Sequence, residues 1–331
     1  MSEYKKHVDS LPDKVDKTSI YDYENDTLSK VFEGFFNFCS TNIKTEWPKF
    51  DVARCGFFYR DQAVNNAMAV KSGTDIWIEV NNHLLESLYK KFNVEKKAVI
   101  ESLPEAALLK NVVPDDNLPY LMFQSTTMFL YYHELGHILQ YDKTDINQRL
   151  SENAAAGTAA QFSLERHARE MDSDEFAANF LYEQIKHYFN ILNEETKSRE
   201  ILMALITTGI AAIFVLFEML SRGFNLPIYF EERTHPNTLI RVIGISGIIL
   251  SKATADFGEK YAVTQPEVIK RSFEIVFNLL EFEASIGNFF EAIKNERVNI
   301  VAYSSKVMQL RNSLTWMAGV KLAALNSNSS N

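Results

Sequence analysis

Cysteine is scarce in this chain: Cys39 and Cys55 are the only two in 331 residues. Two thiols sixteen positions apart form no disulfide framework and no metal-ligand spacing, and they fit a reducing compartment. A basic cluster is also missing. Lys and Arg number 34 against 43 Asp and Glu, a net charge of −9, so nucleic acid is not expected as a partner. The first residues, "MSEYKKHVDSLPDKVDKTS", are polar throughout with no apolar h-region, so no secretory signal is expected. There is no internal repeat. With 46% hydrophobic and 23% charged residues, the composition is that of a globular protein and excludes a disordered one. The length allows one large or two ordinary domains with a substantial core.

Residues 1–27 are charged and contain Pro12; they read as a loose arm. "LSKVFEGFFNFCSTNI" (28–43) has apolar residues at helical spacing. "ARCGFFYR" (53–60) and "DIWIEV" (75–80) are strand-like, with a turn at 71–74 around Gly73. They predict a small antiparallel sheet. "DIWIEV" reads as an ordinary half-buried strand; were it an exposed edge, it could align an extended substrate by backbone pairing. From Asn82 onward the pattern is mainly helical, punctuated by Pro104, Pro114, Pro119, Pro227, Pro236 and Pro266. The expected class is therefore α+β, mainly helical.

The segment from Pro119 to Tyr141 is apolar nearly all round, the mark of a helix buried on most sides. Within it, "HELGH" sets His133 and His137 four apart with Glu134 between them. Residues four apart on a helix share a face, so both imidazoles can meet one zinc ion. Glu134 is rotated about 100° away, near enough to act as general base on a zinc-activated water without ligating. This is the HExxH arrangement. The plainer reading is two core histidines satisfied by hydrogen bonds. The polar, alanine-rich stretch 143–161 that follows reads as a loop or partly helical lid.

A catalytic zinc needs a third protein ligand and an open position. In "LERHAREMDSDEFAANFL" (164–181), Glu170 and Asp174 share a stripe with Ala177 and Leu181. Carboxylates on such a stripe are costly unless neutralised. Zinc can do this for Glu170, and a histidine ring N–H can do it for Asp174 as the partner that fixes the ring's tautomer. His167 and Asp174 are alternative third ligands, and a solvated acidic patch is the reading without metal. In "RTHPNTLIR" (233–241), His235 precedes a proline at a helix start, and Arg241 follows six residues later. Both could serve developing negative charge at one site.

HExxH at 133–137, ExxxD at 170–174 and HPxxxxR at 235–241 stand in order. Together they resemble gluzincin-type zinc peptidases of the HtpX and CAAX-prenyl-protease kind, and more closely the soluble phage-exclusion peptidases of the Lit family. The resemblance covers roughly residues 120–245, and Ser173 stands where the group usually has Ala. It implies a zinc-dependent endopeptidase acting on a protein substrate. It makes His133, His137 and Glu170 the Zn2+ ligands and Glu134 the base. Asp174 becomes the outer carboxylate, and His235 and Arg241 the transition-state stabilisers. On this basis residues 1–27 are a flexible arm, 28–118 a helix and sheet belonging to the catalytic domain, 119–252 the zinc-peptidase core, and 253–331 a C-terminal helical region.

"ILMALITTGIAAIFVLF" (201–217) runs 17 residues without a charge, the short end of a spanning helix. One crossing there would set Glu170 and His235 on opposite sides of a bilayer, so they could not share a metal. A buried helix of a soluble, cytoplasmic protein is expected instead. The competing class is a non-catalytic helical interaction protein with a structural or vestigial zinc. Against it, every residue the chemistry needs is present.

Overall fold

The computed structural model describes residues 2–50, 52, 55–103, 106–110, 112–113, 118–141, 147–151, 162–221, 228–280 and 286–328. The N-terminal segment is no loose arm. Helix α1 (Glu3–Asp9) is capped by Ser2, whose side chain accepts from Lys5 N. The segment then lays Tyr4, Leu11, Val15 and Tyr23 into the core. The Tyr4 hydroxyl donates to Tyr21 O and accepts from Tyr59 N, both at 3.1 Å, which ties the segment to the sheet. The charges that suggested an arm lie on the outer face, while four spaced apolar residues decide its fate. Helix α2 (Ser29–Thr45) buries Phe32, Phe35, Phe36 and Cys39, a stripe at i, i+3, i+4 and i+7.

The sheet is mixed, not antiparallel. Strand β1 (Gly56–Arg60) pairs in parallel with β3 (Asp75–Asn81). Strand β2 (Ala67–Ser72) pairs antiparallel with β3, and β4 (Asn147–Ser151) antiparallel with β2, giving the order β1-β3-β2-β4. The β2–β3 hairpin turns at Gly73, whose φ of +67° suits a residue without Cβ. Because β3 slots between β1 and β2, strand β1 acquires a neighbour running its own way. "DIWIEV" is thus a central strand with both edges paired, and it offers no free edge to a substrate. It is also buried more fully than expected: Trp77, Ile78, Glu79 and Val80 are all enclosed, with Glu79 held by Trp77 Nε1 at 2.8 Å and by Arg60. Residues 147–151, expected in a loop or lid, form the fourth strand; 142–146 and 152–161 lie outside the described residues.

The remaining chain is helical: α3 (Asn82–Tyr89), α4 (Lys96–Ser102), α5 (Ala106–Leu109), α6 (Leu118–Leu139), α7 (Leu164–Asn190), α8 (Arg199–Ser221), α9 (Thr238–Phe257), α10 (Gln265–Leu280), α11 (Ile286–Ser313) and α12 (Ala318–Asn328). Helix α6 is the axis. It packs on α7 and α8 on one side and on β2 on the other. Its almost unbroken burial follows from apolar residues all round. Polar handles aim it: Tyr131 accepts from Trp47 Nε1 at 2.7 Å, Tyr132 donates to Asn42 at 2.8 Å, and Tyr141 just beyond donates to Ala69 O of β2 at 2.8 Å.

Among the described residues two helices, α8 and α9, are long and apolar enough to cross a membrane by length and composition. The most apolar window of α8 is 89% buried inside the fold and that of α9 50%. Helix α8 is covered by α6, α9 and α10. Helix α9 begins at Thr238 because the Asn237 side chain accepts from Leu239 N at 3.0 Å. Pro236 therefore stands before the cap, not at the first helical position.

Candidate metal centre

Helices α6 and α7 meet where α6 carries "HELGH". A Cβ built on Gly136 would lie 2.9–3.1 Å from Oγ, Cα and Cβ of Ser173. Only glycine permits this approach, and a small residue is required opposite. The glycine inside the motif and the serine in the second motif are thus one packing contact, and it brings the faces that carry His133, His137 and Glu170 together.

On α6, His133 and His137 are both buried; on α7, so is Glu170. Donor atoms of these three lie within 4.8 Å of one another, a group able to hold a metal ion. His133 Nε2 is 3.5 Å from Glu170 Oε2, and His137 Nε2 is 3.5 Å from Glu170 Oε1. Both imidazoles turn Nε2 inward because their Nδ1 atoms are engaged on the outside. His133 Nδ1 stands 3.0 Å from Asp174 Oδ1. His137 Nδ1 stands 3.1 Å from both Gln140 Oε1 and Ser173 Oγ.

The alternative third ligands are otherwise engaged. His167 has Nε2 2.8 Å from Arg233 O and Nδ1 on the Tyr303 hydroxyl, and burial lowers its pKa. Asp174 accepts two bonds from Arg241, at 2.8 Å from Nε and 2.8 Å from Nη2, besides facing His133. Of the acidic residues of α7, Glu165 is exposed and Glu175 half-buried, but Glu170, Asp172 and Asp174 are all at most 3% exposed and form no solvated patch.

Arg241 reaches the site from α9 but commits its fork to Asp174. Nη2 lies 3.8 Å from Glu170 Oε2, and the guanidinium sits 3.9 Å over the Phe217 ring of α8. Phe217 packs edge-on against Phe129, which lies near-parallel to the His133 ring. Arg241 thus belongs to the scaffold around His133 as much as to any reacting group. His235 is the less enclosed histidine: Nε2 is 3.6 Å from Glu170 Oε1, and its side chain keeps 14% exposure. Glu134 is fully buried and outside the three-residue group. Its charge reaches the Tyr141 phenol, whose pKa is raised first by burial and then by Glu134.

The structure therefore brings together His133, His137, Glu170, Asp174, His235 and Arg241. Sequence reasoning missed Gln140, Asp172 and Arg311. Gln140 is three positions after His137, on the same face, and that spacing was a usable signal. Arg311 donates to Asp172 Oδ1 at 3.0 Å from 139 positions away, and no local pattern announces it.

No protein-family model, curated protein or solved structure matches this chain.

Proposed function

We propose that the chain is a zinc-dependent endopeptidase that hydrolyses peptide bonds of a protein substrate. The observation that carries this reading is the buried group of two inward-facing imidazole Nε2 atoms and one carboxylate. Its two 3.5 Å donor separations fit zinc: bonds of about 2.0–2.1 Å in a tetrahedron set donors about 3.3–3.4 Å apart. His133, His137 and Glu170 would hold the ion. When bound, it supplies Lewis acidity, acidifying water and polarising a carbonyl.

The chain's own residues supply the rest. Asp174 Oδ1, 3.0 Å from His133 Nδ1, is placed to favour the tautomer whose Nε2 lone pair faces the centre. Glu134 holds and moves a proton between attacking water and leaving amine. Its burial beside the metal residues keeps it out of bulk solvent. His235, beside Glu170 and partly exposed, would donate to charge growing on the scissile carbonyl oxygen. Arg241, bidentate to Asp174, is read here as a positioning residue, a revision of the transition-state role the motif spacing suggested. A soluble, cytoplasmic protein without membrane insertion accords with the burial of α8; recovery solely in carbonate-washed membranes would overturn that part.

The decisive test is digestion of a cell lysate by wild type and by Glu134→Gln, with new N-termini mapped. Termini that need both zinc and Glu134 would establish the activity. Zinc bound by both proteins with no wild-type-specific termini would leave the non-catalytic reading, an interaction protein with a structural zinc.

A further inference from the structure

The C-terminal helices have no role in the chemistry above, yet they pack against α6 and α7, the helices that carry His133, His137 and Glu170. The Asp172 carboxylate, buried in α7, is held by donors from them. Arg311 Nε on α11 donates to Oδ1 at 3.0 Å, Ala318 N to Oδ2 at 2.6 Å, and Gly319 N to Oδ1 at 3.1 Å. The last two are free N–H groups of the first turn of α12, where a carboxylate is favoured. A Cβ on Gly319 would fall 2.5 Å from Arg311 Nη2 and 3.0 Å from Asp172 Oδ1, so a side chain there would displace the Arg311 guanidinium. Arg311 also pairs with Glu175, and Lys321 of α12 donates to Leu139 O, a free carbonyl at the end of α6.

Asp172 in turn dictates the orientation of Gln140. The Gln140 amide nitrogen faces Arg169 O at 2.8 Å, Asp172 Oδ2 at 2.9 Å and Ser173 Oγ at 3.1 Å. A carbonyl and a carboxylate can only accept, so NH2 must be the end that faces them. That leaves Oε1 toward His137 Nδ1 at 3.1 Å. An amide oxygen can only accept, so Nδ1 must carry the hydrogen. Nε2 then bears its lone pair toward Glu170 and the metal position. His133 has a different group beside its Nδ1, the Asp174 carboxylate at 3.0 Å.

The geometry points to Gln140 and Asp172 as positioning residues that lock His137 in its metal-binding tautomer, with α12 completing the lock. The C-terminal helix is thereby part of the metal site, about 180 residues from the helix it serves. This rests on the metal-centre reading above. It adds that metal loading depends on the docking of α12.

The test separates the two ideas. In the metal-free full-length protein, 15N NMR of the histidine rings should show His137 protonated at Nδ1 and bare at Nε2. This needs no metal and no variant. Gln140→Met should mix the tautomers and weaken Zn2+ binding about 10–100-fold in chelator competition. Gly319→Ala, which pushes on Arg311 and Asp172, should weaken Zn2+ binding in the same direction while circular dichroism stays that of a folded protein. A wild-type His137 protonated at Nε2 would overturn the proposal. So would folded variants that melt lower but keep wild-type tautomer and Zn2+ affinity. A correct tautomer in a wild-type protein that binds no Zn2+ would instead overturn the metal reading.

Discussion

Replacing Arg241 by leucine distinguishes two roles for this residue. Asp174 is 3% exposed and accepts both arms of the Arg241 fork at 2.8 Å. Without that fork its charge stays buried with His133 Nδ1 as the remaining described partner. Breaking a buried ion pair by removing one member costs about 3–5 kcal/mol. Unfolding entropy near 60 °C scales with length, about 0.7 kcal/mol/K for 331 residues, so Tm should fall by about 4–7 °C. Asp174 would also drift from His133, and Zn2+ affinity should drop about 10–100-fold. Adding Asp174→Asn should recover at least about 1 kcal/mol, since the double variant no longer buries an uncompensated charge. Calorimetry and chelator competition on the four proteins of the cycle measure all of this. If Arg241→Leu lowered kcat while Tm and Zn2+ affinity stayed at wild type, the anchoring argument would fail, and Arg241 would act on the transition state.

Glu170→Ala should lose Zn2+ outright, whereas Glu134→Gln should keep it and lose about 10²–10⁴ in turnover; metal analysis of both proteins checks the pair. Gly136→Ala drives a methyl to within 2.9–3.1 Å of Ser173, so overpacking of about 1–3 kcal/mol should lower Tm by roughly 1.5–4 °C, measured by thermal melts. Glu218 on α8 is 5% exposed, and burial raises its pKa to about 8. A carboxyl raised in the folded state binds more protons there than in the unfolded chain, so its cost is absent below about pH 4.5 and grows as pH rises toward 8. Glu218→Gln should therefore gain stability over wild type at pH 9, on the order of 4 kcal/mol, and show little gain at pH 4. Equal denaturation midpoints at both pH values would show that this burial is relieved.

The period of the helix determined much of the site in advance. Once α6 and α7 are helices, His133 must share a face with His137, and Glu170 with Asp174, because 3.6 residues make a turn whatever the fold. The all-round apolarity of α6 announced its place at the centre, and the apolar stripe of α2 announced its buried face. Tertiary structure decided everything that depends on segments meeting across the chain. The choice of Glu170 over His167 as third donor follows from Tyr303 and the Arg233 carbonyl having taken His167. The task of Arg241 follows from where α9 crosses α7. The parallel pairing of β1 depends on β3, formed later in the chain, displacing β2 from its side. Tyr4 packs because a sheet residue 55 positions away donates to its hydroxyl, which no local charge count can foresee. The lock on His137 needs Gln140, Asp172, Arg311 and the first turn of α12 in one place. Each is an ordinary polar residue or backbone amide in its own stretch, and only burial together makes their hydrogen bonds obligatory.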